Sequence, residues 1–185
     1  MPAPPASLSR GCLLVASPRL LDPNFARTVV LVISHDAEGS FGLVLNRPLG
    51  AVLGDVLPEV EDRGRSIPVH QGGPVQTDLA HFVSRSAAAE SAESSLLPGV
   101  SVGISLEELL EQAAGGQPVR CFVGYSGWGA GQLEAETVDG SWIVAPARAE
   151  HVFDVPSERL WAQVLHELGG QYAWMALDST PPSDN

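Results

Sequence analysis

Short unbroken apolar runs dominate the first half of the chain, and apolar residues at helical spacing dominate the second. Gly11 to Ala16 (GCLLVA) is closed by Ser17-Pro18, and Thr28 to Ile33 (TVVLVI) is apolar at every position after its first. Runs of this length without alternation predict strands covered on both faces, with the second at the centre of a sheet. Leu21-Asp22-Pro23-Asn24 has turn chemistry, and Asp36-Ala37-Glu38-Gly39-Ser40 is a compact turn from which Phe41 to Leu45 returns as an antiparallel partner. These three strands are the predicted nucleus. Pro48 is read as the end of the third, and Val52 to Leu57 as a helical turn closed by Pro58. Val69 to Gln71 and His81 to Ser84 are weak strands around Gly72-Gly73-Pro74.

Beyond residue 100 the period changes. Val100 to Gly103 is extended, and Ser105-Leu106-Glu107-Glu108 is a capping box that opens a helix with Leu106, Leu109, Leu110 and Ala113 on one face and Gly115-Gly116 at its end. Val119 to Gly124 is a strand, Gly127 to Gly131 a glycine-rich turn, Gln132 to Val138 a polar helix, and Ser141 to Val144 a strand carrying Trp142. A helix follows from about Pro156 to Leu168, burying Leu160, Trp161, Val164, Leu165 and Leu168, with Gly169-Gly170 as its cap. Tyr172 to Leu177 is read as one more strand. Hairpins early and strand-helix alternation late predict a mixed sheet in an α+β fold. The predicted domain covers residues 10–178, with loose tails at 1–9 and 179–185. Residues 86–95 (SAAAESAESS) bury little and are read as a flexible loop.

Charge narrows the partners. The chain of 185 residues carries a net charge of -12, and all ten of its cations are Arg. Residues 1–89 hold seven Arg against eight acids, and residues 90–185 three against fourteen. A field of that sign opposes nucleic acid and anionic membrane surfaces, and any nucleic-acid face is confined to the N-terminal half. Cys12 and Cys121 have no metal or disulfide spacing, and no apolar run reaches the length of a membrane span. The first nine residues lack the apolar core of a secretion signal. A cytoplasmic protein, monomeric or homodimeric, is the expectation, with no metal and no cofactor.

The most conspicuous chemistry is Gly124-Tyr125-Ser126-Gly127-Trp128-Gly129-Ala130-Gly131-Gln132-Leu133-Glu134, which follows a strand and opens into a helix. Glycines before a helix start let an anion approach free N–H groups, yet neither the dinucleotide fingerprint nor the phosphate loop matches, and there is no Lys. The competing reading is a tight turn that packs Trp128 under the sheet. Ser126 fails the nucleophile-elbow pattern because Trp128 stands where the second glycine belongs. His35, His70, His81, His151 and His166 do not pair with Ser126 by spacing, and Cys121 reads as an inert core thiol. Asn46-Arg47-Pro48 and Asp22-Pro23-Asn24 are turns first, and Arg27 and Arg47 become an anion site if both stand at the ends of adjacent strands.

Taken together, Ala16-Ser17-Pro18, Asp22-Pro23-Asn24-Phe25, Arg27-Thr28-Val29, Gly42 through Pro48, Gly72-Gly73-Pro74-Val75 and Gly124 through Glu134 resemble, in order, the signature series of the AlgH/YqgE family. The resemblance implies a branched, partly barrel-like sheet surrounded by helices. It also carries a regulatory label, since the founding member is described as a regulator of alginate production, and it weakens Ser126 because relatives commonly have Ala there. No helix-turn-helix pattern or basic helix accompanies that label here. The expectation is a non-enzymatic regulatory or interaction protein acting through a protein partner or a small ligand. Its working surface is expected to draw on Arg27, Asn46, Arg47, Gly72, Gly73, Gly124, Tyr125, Gly127, Trp128, Gly129, Gly131, Gln132 and Glu134. The alternative is an enzyme or binder of a small anionic metabolite using Arg27, Arg47 and the 124–131 loop.

Overall fold

The two uninterrupted apolar runs lie side by side. In the computed structural model, which describes residues 6–60, 62, 64–86 and 95–178, β1 (Cys12–Ala16) pairs antiparallel with β2 (Val29–Asp36), Leu13 opposite Leu31 and Val15 opposite Val29. Every residue of β1 and the first four of β2 are buried, as strands with neighbours on both edges and cover on both faces require. β3 (Gly39–Val44) returns antiparallel to β2, with an irregularity between Val32 and Ser34. Past it, burial alternates, so the Ser34 to Phe41 hairpin projects beyond the core.

β4 (Pro48–Val52) leads into the single turn α1 (Leu53–Val56), and β5 (Pro68–Gln71) pairs back onto β4. Pro48 therefore opens a strand where the sequence reading ended one. A proline is tolerated there because β4 has only β5 beside it among the described residues. β6 (Val75–Ser84) starts six residues earlier than anticipated, and β7 (Ser95–Leu97) with β8 (Val100–Val102) extends the sheet past it. Residues 87–94 of the expected loop, and the terminal stretches 1–5 and 179–185, lie outside the described residues. Within the expected N-terminal tail, Leu8 packs against the second core cluster.

The capping box is present as written: Ser105 Oγ accepts from the Glu108 N–H at 3.2 Å, and the Ser105 N–H donates to Glu108 at 2.6 Å, starting α2 (Leu106–Ala114). Then β9 (Val119–Gly129) runs eleven residues, α3 (Gln132–Val138) follows Gly131, and β10 (Trp142–Pro146) pairs with β1. α4 (Ala149–Phe153) was not anticipated. Its last carbonyls, on Val152 and Phe153, are capped by the Arg120 guanidinium at 2.7 and 2.9 Å. α5 (Ser157–Leu168) buries Leu160, Trp161, Val164 and Leu165 as its spacing predicts. The predicted last strand is a helix instead, α6 (Gly170–Asp178). Tyr172, Met175 and Ala176, at helical spacing, are the residues it lays on the core, so packing overrides the strand preference of its aromatics.

The curled sheet has the order β10-β1-β2-β3-β9-β6-β8-β7 and branches at β9, where β5 joins as the one parallel neighbour among the described residues. One face packs α4 and α5 on Leu13, Leu31, Leu43 and Phe122. The opposite face packs Trp128, Leu133 and Trp142 on Leu14, Val30 and Val44. No helix among the described residues is long and apolar enough to cross a membrane.

Candidate functional site

The glycine-rich segment is strand where a turn was expected. Gly42, Phe41, Ser40 and Gly39 of β3 pair with Ser126, Gly127, Trp128 and Gly129, and this cross-strand ladder overrides the turn preference of the glycines. Only Ala130 and Gly131 separate β9 from α3.

Register gives this region its shape. Ser34 lies opposite Phe41 and Phe41 opposite Gly127, so the three share one face; Asp36, Gly39 and Gly129 make the next row. Side chains two apart on a strand point the same way, which adds Tyr125, and Val75 of β6 pairs with Tyr125. All of these but Gly129, with Glu38 at the hairpin tip and the strand segments of Ser40 and Trp128, bound an open groove of about 520 Å³. Gly39 and Gly127 leave its floor bare. Phe41 and Tyr125 form its wall with ring centroids 4.7 Å apart, and His81 stands edge-on to Phe41 at 5.3 Å. Asp36 and Glu38 are exposed on the rim, and among the described residues no cationic side chain lines the groove. Glu134, at the start of α3, reaches toward the hairpin, 3.6 Å from His35 Nε2.

Of the predicted surface, Tyr125, Gly127, Trp128 and the Gly72 to Val75 turn, through Val75, meet at this groove. Gly72 and Gly73 work behind it, where the chain leaving β5 crosses β9. A Cβ on Gly72 would strike the Gly124 carbonyl, and one on Gly73 the Tyr125 carbonyl and Ser126 nitrogen. Gly124, at φ 69°, takes the kink that this crossing needs. Gln132 and Gly129 are tied to each other, the Gly129 N–H donating to Gln132 Oε1 at 3.1 Å, and Gly131 sets the helix start at φ 71°.

Arg27, Asn46 and Arg47 do not line the groove. Asn46 clamps the 22–28 turn to β3: its Oδ1 accepts from the Val29 N–H at 2.9 Å and its Nδ2 donates to the Arg27 carbonyl at 2.9 Å. Arg47 donates to the Ala26 carbonyl at 2.7 Å, and the Arg27 guanidinium lies 5.6 Å from the centre of the Trp161 ring. Arg47 does meet Gly73, together with Asn24 and Gln71, in a dimple of about 10 Å³, room for at most about one water.

Sequence reasoning missed Ser34, Asp36, Glu38 and Phe41 as groove residues and Glu136 as a structural hub. Both oxygens of Glu136 are occupied: Oε2 accepts from the indole N–H of Trp128 and of Trp142, each at 3.0 Å, and Oε1 from Gln132 at 2.9 Å. The two tryptophans are 7% and 2% exposed, so neither presents the aromatic anchor an exposed indole would offer. An acid eight and six residues from two tryptophans was the available signal.

Ser126 and both thiols are withdrawn from solvent. Ser126 is fully buried and donates to the Gly72 carbonyl at 3.2 Å. Burial pushes the Cys121 thiol up to about 11 and raises that of Cys12. His151 Nδ1 accepts from the Arg148 N–H at 3.1 Å, so Nε2 carries the proton toward Glu167 at 3.0 Å and the ring serves as a strut between α4 and α5. The Glu167 carboxyl is pushed up by burial, but hydrogen bonds from Gln163 and His151 and the charge of Arg148 outweigh this and hold it low.

His70, 4% exposed with Nδ1 lacking a partner, is pushed down to about 4, by burial first and by Arg120 second. The folded state thus favours the neutral ring, and the unfolded chain binds the proton more tightly. Stability is complete above about pH 6.5, falls as pH drops toward 4, and is flat below for this group; the full difference is about 3 kcal/mol. Urea melts across that range are expected to show the fall, and His70→Leu is expected to reduce it, leaving the share of His81, which burial also pushes down. An unchanged slope in that variant would refute the assignment.

A family model described as AlgH-like matches residues 13–173. Similar proteins include a UPF0301 protein of Chlorobaculum tepidum, 38% identical over 182 residues and 96% of both chains, and one of Streptomyces coelicolor, 43% identical over 95% of this chain and 94% of that one. The solution structure of AlgH from Pseudomonas aeruginosa superposes with a TM-score of 0.73 at 32% identity, covering 98% of this chain and all of that one. A crystal structure from Corynebacterium diphtheriae gives 0.77 at 25% identity over 94% of each.

Proposed function

The chain belongs to the AlgH-like family, and on that premise we propose that it works by binding a protein partner in the groove between the β2–β3 hairpin and the end of β9, without a reaction carried on its own side chains. The observation that carries this reading is the groove itself: a bare glycine floor, an aromatic wall and an exposed rim, built where two of the signature segments meet. Aromatic walls around an accessible hollow supply binding energy with little ordering cost, and a site at a hairpin tip is open to a chain-sized ligand. A small anion would meet Asp36 and Glu38 there, while the arginines suited to one are engaged elsewhere.

Photo-crosslinking side chains placed at Glu38 and at Ser34 in the native cell are expected to capture one discrete partner. The same group at Val138, 89% exposed and outside the groove, is expected to capture none of it. Identical adducts from all three positions, or adducts from Val138 alone, would overturn the proposal.

A further inference from the structure

Resting on the groove as the working surface, we infer that its occupant is an extended, arginine-bearing segment of the partner protein, its guanidinium seated over the Gly39–Gly127 floor against Tyr125. Three independent features converge on that chemistry. Among the described residues the charge facing the groove is of one sign: Asp36 and Glu38 line it, and no Arg or His does. One oxygen of Asp36 accepts from the Glu38 N–H at 2.8 Å, which holds the Asp36 carboxylate in place on the rim. The Phe41–Tyr125 wall offers ring faces beside those acids, and a planar cation stacks on such a face while its N–H fork reaches a carboxylate.

Third, the strand bordering the floor has a vacant side. β3 flanks Gly127 to Gly129 on one edge of β9, while the β6 pairing ends at Val75 opposite Tyr125. Among the described residues no strand pairs beyond that point, so an extended chain can lie beside Gly127 where β6 would have continued, short of Gly129, whose N–H is taken by Gln132, adding main-chain contacts and projecting its side chain across the floor. A net charge of -12 accelerates the encounter with a basic segment at low salt.

The test is an amide-resonance titration of the full chain with the peptide acetyl-Gly-Gly-Arg-Gly-Gly-amide and its citrulline counterpart, which keeps shape and loses charge. Saturable shifts at the Gly39 and Gly127 amides with the arginine peptide alone are expected, weakened by added salt. The double variant Asp36→Asn, Glu38→Gln is expected to weaken binding by about tenfold or more, whereas Asp55→Asn, outside the groove, leaves it unchanged. Asn at 36 preserves the hairpin hydrogen bond, so a loss of binding reports charge and not folding. Equal shifts from the citrulline peptide, no shifts from either, or an unaffected double variant would overturn the inference. Spermidine binding as tightly as the peptide would overturn it too, in favour of a small-amine site. Groove crosslinks to a partner together with failed peptide binding would leave the groove's role standing and sink only this identification.

Discussion

Gly73→Ala is expected to yield no native fold. The residue sits where two backbones cross, and a Cβ there lands on the Tyr125 carbonyl and the Ser126 nitrogen, neither of which is a side chain able to turn aside. The crossing is also held from both directions. The Gly72 N–H donates to the Val123 carbonyl, and the Gly72 carbonyl accepts from the Val44 N–H, both at 2.8 Å, as well as from Ser126 Oγ. Relief requires β9 to move off β3 and β5 at the branch of the sheet. That cost is about 5 kcal/mol or more, comparable with the whole stability of a domain of this size. Circular dichroism and amide dispersion are expected to show a collapsed or aggregated chain. Gly131→Asn is the matched control: φ there is 71°, a Cβ meets nothing within 4 Å, and Asn tolerates that conformation, so a cost of about 1 kcal/mol or less is expected. A Gly73→Ala protein that melts like the parent would show that the crossing is not as tight as described.

Glu136→Ala is expected to destabilise by about 4 kcal/mol in urea titration, because it strands two nearly buried indole N–H groups at about 1–3 kcal/mol each. Glu136→Gln separates hydrogen bonding from charge. Both indoles donate to the same oxygen, so an amide oxygen can accept from both. The new NH2 faces Gln132 Nε2, and because Gln132 Oε1 is held by the Gly129 N–H, one exposed hydrogen bond is lost, and a cost of about 1 kcal/mol is expected. Tryptophan emission is expected to shift in the Ala variant and to stay near the parent's in the Gln variant. Equal losses from both would mean that charge, not acceptance from the indoles, is what Glu136 supplies.

Those two residues also mark what was legible in the sequence. The β1–β2–β3 nucleus, the capping box of α2 and the buried stripe of α5 followed from period and punctuation alone, because local preference and tertiary packing agree there. The stretch Gly127 to Gly129 did not, since glycines signal a turn locally and become strand only when β3 supplies a ladder more than eighty residues distant in sequence. Tyr172 to Leu177 failed for the opposite reason: aromatics favour a strand, but only a helix lays Tyr172, Met175 and Ala176 together on the core. At the site, the segments containing Tyr125, Gly127, Trp128 and Val75, which the sequence reading groups together, lie side by side. The β2–β3 hairpin was legible with Asp36 to Ser40 as its turn, but not that Asp36 and Glu38 of that turn supply the rim. Arg27 and Arg47 drew notice as cations, and only coordinates show Arg47 on backbone carbonyls and Arg27 against an indole.

The most direct measurement of whether the groove is the working surface is native mass spectrometry of the protein purified gently at low salt from its own cells, compared with Gly127→Leu. Gly127 is exposed, lies outside the left-handed region, and its nearest obstruction is the movable ring of Tyr125, so leucine fills the groove floor and leaves the fold intact. The account predicts a stoichiometric protein complex for the parent and a bare chain for the folded variant. The same complex on both would contradict it.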